Sequence, residues 1–222
     1  MRIRSTSMAV VAFFALSAGA AAAYDSSFAV GVHGGTTGVG ISAKYQINDY
    51  FVIRGDYDHL DYSRDFNSKD VDYDGELNFK PFTLAVDVHP FQNSFFVSAG
   101  YNTGDRKVKL TARPTGDTEI GGTTYTPEQI GTLTADGDLG SGAPFVGLGF
   151  DNTYTASGSL SFRILAGAII GKDPTVRLSS DSSYASNPLF QASLRQEEAD
   201  LQDDVDKVKT YPVLQVGVNW RF

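Results

Sequence analysis

The chain has 222 residues, with 18 basic and 26 acidic side chains, no cysteine, one tryptophan and a slightly negative mean hydropathy. Without cysteine there is no disulfide framework and no thiolate metal site, and the acidic balance argues against nucleic acid, whose phosphates call for a basic surface. Beyond the N-terminal stretch no segment reaches the roughly 18 consecutive apolar residues of a spanning helix, which excludes helical membrane insertion but not insertion as a barrel.

The first residues, MRIRSTSMAVVAFFALSAGAAAAYD, read as a secretory signal. Arg2 and Arg4 form a positive n-region, Met8 to Ala18 an apolar h-region, and Ala21-Ala22-Ala23 a small-residue cleavage site before Tyr24. The expected organisation is a cleaved signal peptide over 1–23 and one barrel domain over 24–222. The signal holds two of the 18 basic residues and no acidic ones, so the remaining 199 residues carry 16 basic against 26 acidic side chains, a net charge of −10.

The rest of the chain alternates with period two in segments of about ten residues, the pattern of strands with an apolar outside and a polar inside. Phe28 to His33 is a short first strand ending at Gly34-Gly35. Thr37 to Ile47 places Val39, Ile41 and Tyr45 outward and Lys44 and Gln46 inward, then turns at Asn48-Asp49. A single long strand over 28–47 with a glycine kink is the competing reading. Phe51, Ile53 and Tyr57 face out next, with Arg54, Asp56 and Asp58 inward, and a polar loop is expected over 62–75. Phe82, Leu84, Val86 and Val88 alternate with Thr83, Asp87 and His89. Leu77 and Phe79 are in the opposite phase, which calls for a bulge near Lys80-Pro81. Pro90 to Ser94 is a short turn before the strand Phe95 to Asn102.

The excursion over 105–142 is polar, with a hairpin expected between Ile120–Tyr125 and Ile130–Thr134. Strands around Val146–Phe150 and Leu160–Ile170 flank a shorter connection at 151–159. The last excursion, 172–210, contains a helix. Asn187 is its N-cap and Pro188 its first residue, with Phe190, Leu194, Leu201, Val205 and Val208 on one stripe and acidic residues elsewhere. The final strand sets Leu214, Val216, Val218, Trp220 and Phe222 outward against Gln215 and Asn219.

Eight strands result, with short turns at one end and long excursions at the other, as in single-chain bacterial barrels with both termini in the periplasm. The expected fold is all-β: an eight-stranded antiparallel transmembrane β-barrel, an up-and-down meander with one helix in an extracellular loop. Twenty-three glycines suit a narrow lumen, and 26 Tyr and Phe residues suit two interfacial girdles.

The Asn48-Asp49-Tyr50 turn, the Asp87-Val88-His89-Pro90-Phe91 strand end, Ile120-Gly-Gly-Thr-Thr-Tyr, the acidic helix from Glu197 to Asp204 and the strand Tyr211 to Phe222 together resemble the small OmpA-like and OmpX-like outer-membrane barrels. The resemblance covers the whole chain after the signal. It implies insertion in the outer membrane among its lipids and lipopolysaccharide. It also implies that the C-terminal strand, ending Trp220-Arg221-Phe222, is read by the barrel-assembly machinery. It brings no catalytic residues and no cofactor, and a monomer is the expected state.

Chemistry concentrates in the expected lumen. Lys44, Arg54, Asp56, Asp87, Arg163 and Gln215 lie at similar heights on neighbouring strands. An eight-stranded interior is just wide enough to be filled by side chains, so these residues form either a salt-bridged plug or the lining of a narrow ion path. No metal site is expected, since the acidic loops lack a calcium-loop spacing. The main expectation is a structural role in the envelope or a surface-loop interaction. The alternatives are a pore or transport route for small hydrophobic molecules, and a lipid A-modifying enzyme using His59 with Ser63. The enzyme reading is disfavoured because His59 points outward and no full set of catalytic roles is present.

Overall fold

A computed structural model describes residues 27–68, 71–171, 174–206 and 209–222. The expected signal peptide and its cleavage site lie outside the described residues, as does Val208 of the expected helix stripe.

Eight strands close into an antiparallel barrel. In chain order they are β1 (Phe28–Gly35), β2 (Gly38–Asn48) and β3 (Phe51–Ser68), then, past β4 (Val71–Phe79), β5 (Phe82–Val88) and β6 (Phe95–Thr103). The chain next makes β7 (Arg106–Pro114), β8 (Thr118–Ile120), β9 (Thr123–Tyr125), the single-turn helix α1 (Pro127–Ile130) and β10 (Leu133–Asp138). It returns to the barrel as β11 (Gly142–Asp151) and β12 (Leu160–Ile170). It then leaves through β13 (Thr175–Ser180) and helix α2 (Pro188–Val205), and ends on β14 (Thr210–Arg221). Each barrel strand pairs with its chain neighbour in the barrel, and β1 closes the ring on β14 from Ala29↔Arg221 to Gly35↔Gln215. Closure leaves the ring no unpaired edge.

Residues 28–47 are two strands. The turn between them falls at Thr36-Thr37, beyond the expected Gly34-Gly35, and is closed by Gly38 at φ +101°, a value that favours glycine. At the opposite end three short turns share a device. Asn48 Oδ1 accepts from the backbone N–H of Tyr50 and Phe51 (2.9 and 3.0 Å), Asn93 Oδ1 from Phe95 (2.9 Å), and Asn152 Oδ1 from Phe162 (2.8 Å). At Asn48 and Asn93, two or three residues from their donors, this mimics a backbone turn, which suits asparagine, whereas Asn152 ties together the two strands that flank its connection.

The expected loop over 62–75 is instead a hairpin. β3 runs on to Ser68 and pairs with β4 from Leu60↔Phe79 to Ser68↔Val71. Above the barrel both faces of these strands lack an apolar environment, so the period-two contrast that marks a strand in sequence disappears. The bulge expected near Lys80-Pro81 does not form, because the pairing with β3 keeps one register on both sides of those residues. β3 is paired with β5 up to Tyr57↔Phe82 and with β4 from Leu60↔Phe79, so β5 and β4 are one barrel strand broken at those two residues. The alternation runs through the break without a change of phase: Phe79 and Pro81 are buried, Lys80 and Phe82 exposed, so Phe79 is an inward residue rather than an outward one out of step.

β6, β11 and β12 likewise continue upward as β7, β10 and β13. The long excursions are therefore largely sheet. β3, β4, β7, β10 and β13 form a contiguous crown above one end of the barrel, whereas β1, β2 and β14 stop at the rim. The hairpin expected between 120–125 and 130–134 does not form. Ile120 and Thr123 are joined within the β8–β9 ribbon, and Leu133 to Asp138 pair with β7 and β13.

Helix α2 has the expected cap, Asn187 Oδ1 accepting from the N–H of Leu189 and Phe190, with Pro188 at its first turn. Phe190 and Leu194 pack with Ile120, Tyr125 and Ile130 into a small crown core. Its other side chains guard a sheet edge. Glu198 accepts from Leu178 N–H (2.8 Å), Gln202 Oε1 from Val176 N–H (3.0 Å), and Glu197 from Gly121 N–H (2.9 Å). The outer edge of β13 is thus capped rather than left as an open ladder.

Candidate functional site

Outside the barrel, every strand of the ring presents large apolar side chains. Val30, Ile41, Ile53, Leu84, Val97, Leu148, Ile164 and Val216 are each more than a third exposed. Two aromatic sets bracket this band. Near the short turns, Phe28 stacks on Phe222 and Phe150 on Phe162, with Tyr45 and Trp220 beside them. Near the rim are Tyr57, Phe82 and Tyr101. An exposed apolar girdle with aromatic borders is the outside of a membrane barrel rather than of a water-soluble sheet.

Inside, the six lumen residues read from the sequence are all buried. Five of them, Arg54, Asp56, Asp87, Arg163 and Gln215, meet in one network. Arg54 grips Asp87 through Nε and Nη2 (2.7 and 3.1 Å), bonds Ser98 at 3.0 Å, and pairs through Nη1 with Asp56. Ser98 also donates to Asp87 at 2.6 Å. Arg163 reaches Asp56 at 3.5 Å and Gln215 at 3.0 Å. Lys44 stands apart. It pairs with Asp151 near the short turns, where Thr153 bonds Asp151, Ser161 and Asn219.

Sequence reading missed that partner because Asp151 is the last residue of its strand and was assigned to the connection. It also passed over the cluster near the rim, where Asp58 accepts from Thr37 (2.8 Å) and pairs with His33 Nε2 (2.9 Å), and Gln215 Nε2 donates to Thr37 (3.0 Å). Asp58 and His33 are inward by parity, which was the available signal. His89 is buried beside Phe96 and bonds Asn93 O at 2.8 Å, closing its turn. His59 and Ser63 are both exposed on β3.

The second thing the alternation hides is an apolar wedge. Phe96, Phe145, Leu165, Ile169 and Val213, with Ala85 and Ala143, form a buried cluster inside the ring. The Arg54 guanidinium lies 5.9 Å from the Phe145 ring centroid, joining the charged and apolar parts. Glycines opposite make the room: an added side chain at Gly149 or Gly167 would meet Phe96 or Phe145 at 2.9 Å. The interior cavity bordered by Arg54, Asp56, Phe145, Leu165 and Gln215 measures about 10 Å³, space for about one water molecule. The arrangement neutralises buried charge and fills the bore. Among the described residues no cluster of three or more His, Cys, Asp or Glu side chains is placed to hold a metal ion.

A closed eight-stranded ring, an apolar girdle and a side-chain-filled bore define the class: the fold is that of the small OmpA-like and OmpX-like outer-membrane barrels. Among solved structures, the chain is similar to Acinetobacter baumannii CarO2 at 23% identity and a TM-score of 0.63, over 88% of this chain and 98% of that one. It is similar to Acinetobacter baumannii CarO at 23% identity and a TM-score of 0.59, over 87% and 97%. At that identity the likeness is one of fold. No family model and no curated protein matches the sequence.

Proposed function

We propose that the chain is an integral barrel of the outer membrane whose bore is closed and whose working part is the crown, held on the outer side. The observation that carries this is the pairing of an exposed apolar girdle with an interior cavity of about 10 Å³. The girdle suits contact with outer-membrane lipids and lipopolysaccharide, and the single-chain ring needs no second copy to close. The short turns and both ends of the ring share one end, so the crown faces outward when that end faces the periplasm. Trp220 and Phe222, outermost on the last strand, are the residues we assign to recognition by the barrel-assembly machinery. The role is one of envelope support and surface presentation rather than transport or catalysis.

Single-channel recording in a planar bilayer tests the reading, wild type beside Arg163→Ala, with insertion checked by the mobility difference between unboiled and boiled samples. Inserted protein is expected to be silent in both forms, because truncating Arg163 leaves the Phe96–Phe145–Leu165–Ile169 wedge in place. Discrete steps that change with the substitution overturn the closed bore in favour of a pore. Identical mobility with and without boiling overturns the placement.

A further inference from the structure

A second cavity lies at the rim, above the wedge. It is walled by the ends of β12 and β14, by β7 and the residue after β10, and by the last turn of α2. Its volume is about 390 Å³, within the range of small-molecule sites. Ile169 lines both this space and the small interior cavity, and so stands between them. Leu139, Ile169, Pro174 and Val205 make the walls largely apolar.

One polar group there is unsatisfied. Arg106 is 5% exposed, and its Nε donates to Gly140 O at 3.1 Å, but its buried Nη2 has no hydrogen-bond partner. Leaving a buried guanidinium N–H unpaired is costly, and an anionic acceptor satisfies it best. Burial also holds the Arg106 pKa below the ordinary arginine value, with Asp138 acting against that shift. Asp204 and Lys209 also line the cavity, so among the ionised side chains on its walls two are basic and one acidic.

We propose that the rim cavity binds a small amphipathic monoanion, its carboxylate accepting from Arg106 Nη2 and its alkyl body lying against Leu139, Ile169, Pro174 and Val205. The binding does not depend on whether the bore conducts. The size and lining suit a medium-chain carboxylate better than a bare inorganic anion, which would leave the apolar walls facing water.

The test is titration of octanoate into the full barrel in lipid nanodiscs, with empty discs as the blank and octanol as the uncharged twin. Gel mobility first reports insertion, so a failure of membrane placement is read separately from a failure of binding. Octanoate is expected to bind saturably, one per chain, with octanol at least about tenfold weaker. Arg106→Gln should lose a similar factor, and Val205→Trp, which fills the space from the helix side and leaves Arg106 intact, should abolish binding. Uptake no greater than that of empty discs, octanol as tight as octanoate, or wild-type binding by both variants overturns the site. If Arg106→Gln loosens the crown, Val205→Trp alone decides.

Discussion

The barrel interior and the crown solve the same problem in opposite ways. In the ring, every strand has two partners, so backbone polar groups are satisfied by topology and side chains are free to form a dense network around Arg54 and Arg163. In the crown the sheet ends at β13, and side chains must do what topology does below: Glu198 and Gln202 of α2 accept the N–H groups of Leu178 and Val176. The interior therefore tolerates buried charge because the frame around it is complete. The crown spends its acidic residues on the frame itself and keeps only a small apolar core around Phe190. The acidic helix, which in sequence reads as a solvated face, caps an edge through Glu198 and Gln202 on one side while Asp200 and Asp203 stay exposed on the other.

The largest expected effect comes from breaking the interior network. Asp87→Ala strips Arg54 of its two-pronged partner and leaves a buried cation, a change worth about 3–5 kcal/mol where the other charge stays behind. Urea unfolding of the inserted protein, followed by loss of the heat-modifiable band, measures it. A cost below about 1 kcal/mol, the scale of an exposed pair, would mean that water reaches Arg54, and the contrast with the crown would fail.

Next is Phe190→Ala, which empties the centre of the crown core where Phe190 meets Tyr125 edge-on at 4.9 Å. A buried Phe truncated to Ala costs about 3 kcal/mol or more. The crown and ring share no apolar core, since one cluster is Ile120–Leu194 and the other Ala85–Val213. The loss should therefore stay local. Protease should cut within 106–206 in the variant while the barrel keeps its mobility shift. Loss of the folded band as well would show that the two regions fold as one unit.

This division also explains what the sequence revealed. The ring was legible because membrane-facing strands must alternate: parity alone placed Lys44, Arg54, Asp56, Asp87, Arg163 and Gln215 on the inward face, and the structure buries all six. The apolar wedge was not legible. Phe96 follows the outward Phe95, and Leu165 sits between outward Ile164 and outward Ala166, so adjacent apolar residues on both faces blur the alternation. The crown strands were lost for the opposite reason, as 62–68 and 71–75 are mostly polar and the few aromatics, Tyr62, Phe66 and Tyr73, do not mark a sustained apolar face. Its helix was legible from Asn187-Pro188 because a cap is a local device that needs no knowledge of what the helix packs on. The capping of β13 by Glu198 was not, since it joins residues 20 apart through a fold not yet known.

The smallest expected effect probes the crown's frame through pH. Beyond Leu133↔Ser180 the ladder is extended by one clasp: Asp181 N–H donates to Thr132 O at 3.2 Å, and the Asp181 carboxylate accepts from Thr132 N–H at 2.6 Å. Those bonds from Thr132 hold the Asp181 carboxyl below its ordinary value of 3.8. A carboxyl whose pKa is lower folded than unfolded adds stability above the unfolded value and loses it as pH falls through the folded one. The group is exposed, so salt screens much of the effect. Between pH 5 and about pH 3 the wild-type crown should become more protease-sensitive while the ring's mobility shift is unchanged. Asp181→Asn keeps an acceptor oxygen without the titrating charge, and should remove that part of the pH dependence. If the variant loosens with acid as steeply as wild type, the clasp is incidental, and the acid response belongs to the carboxylates of α2 on the edge of β13, where Glu198→Gln in the same assay would locate it.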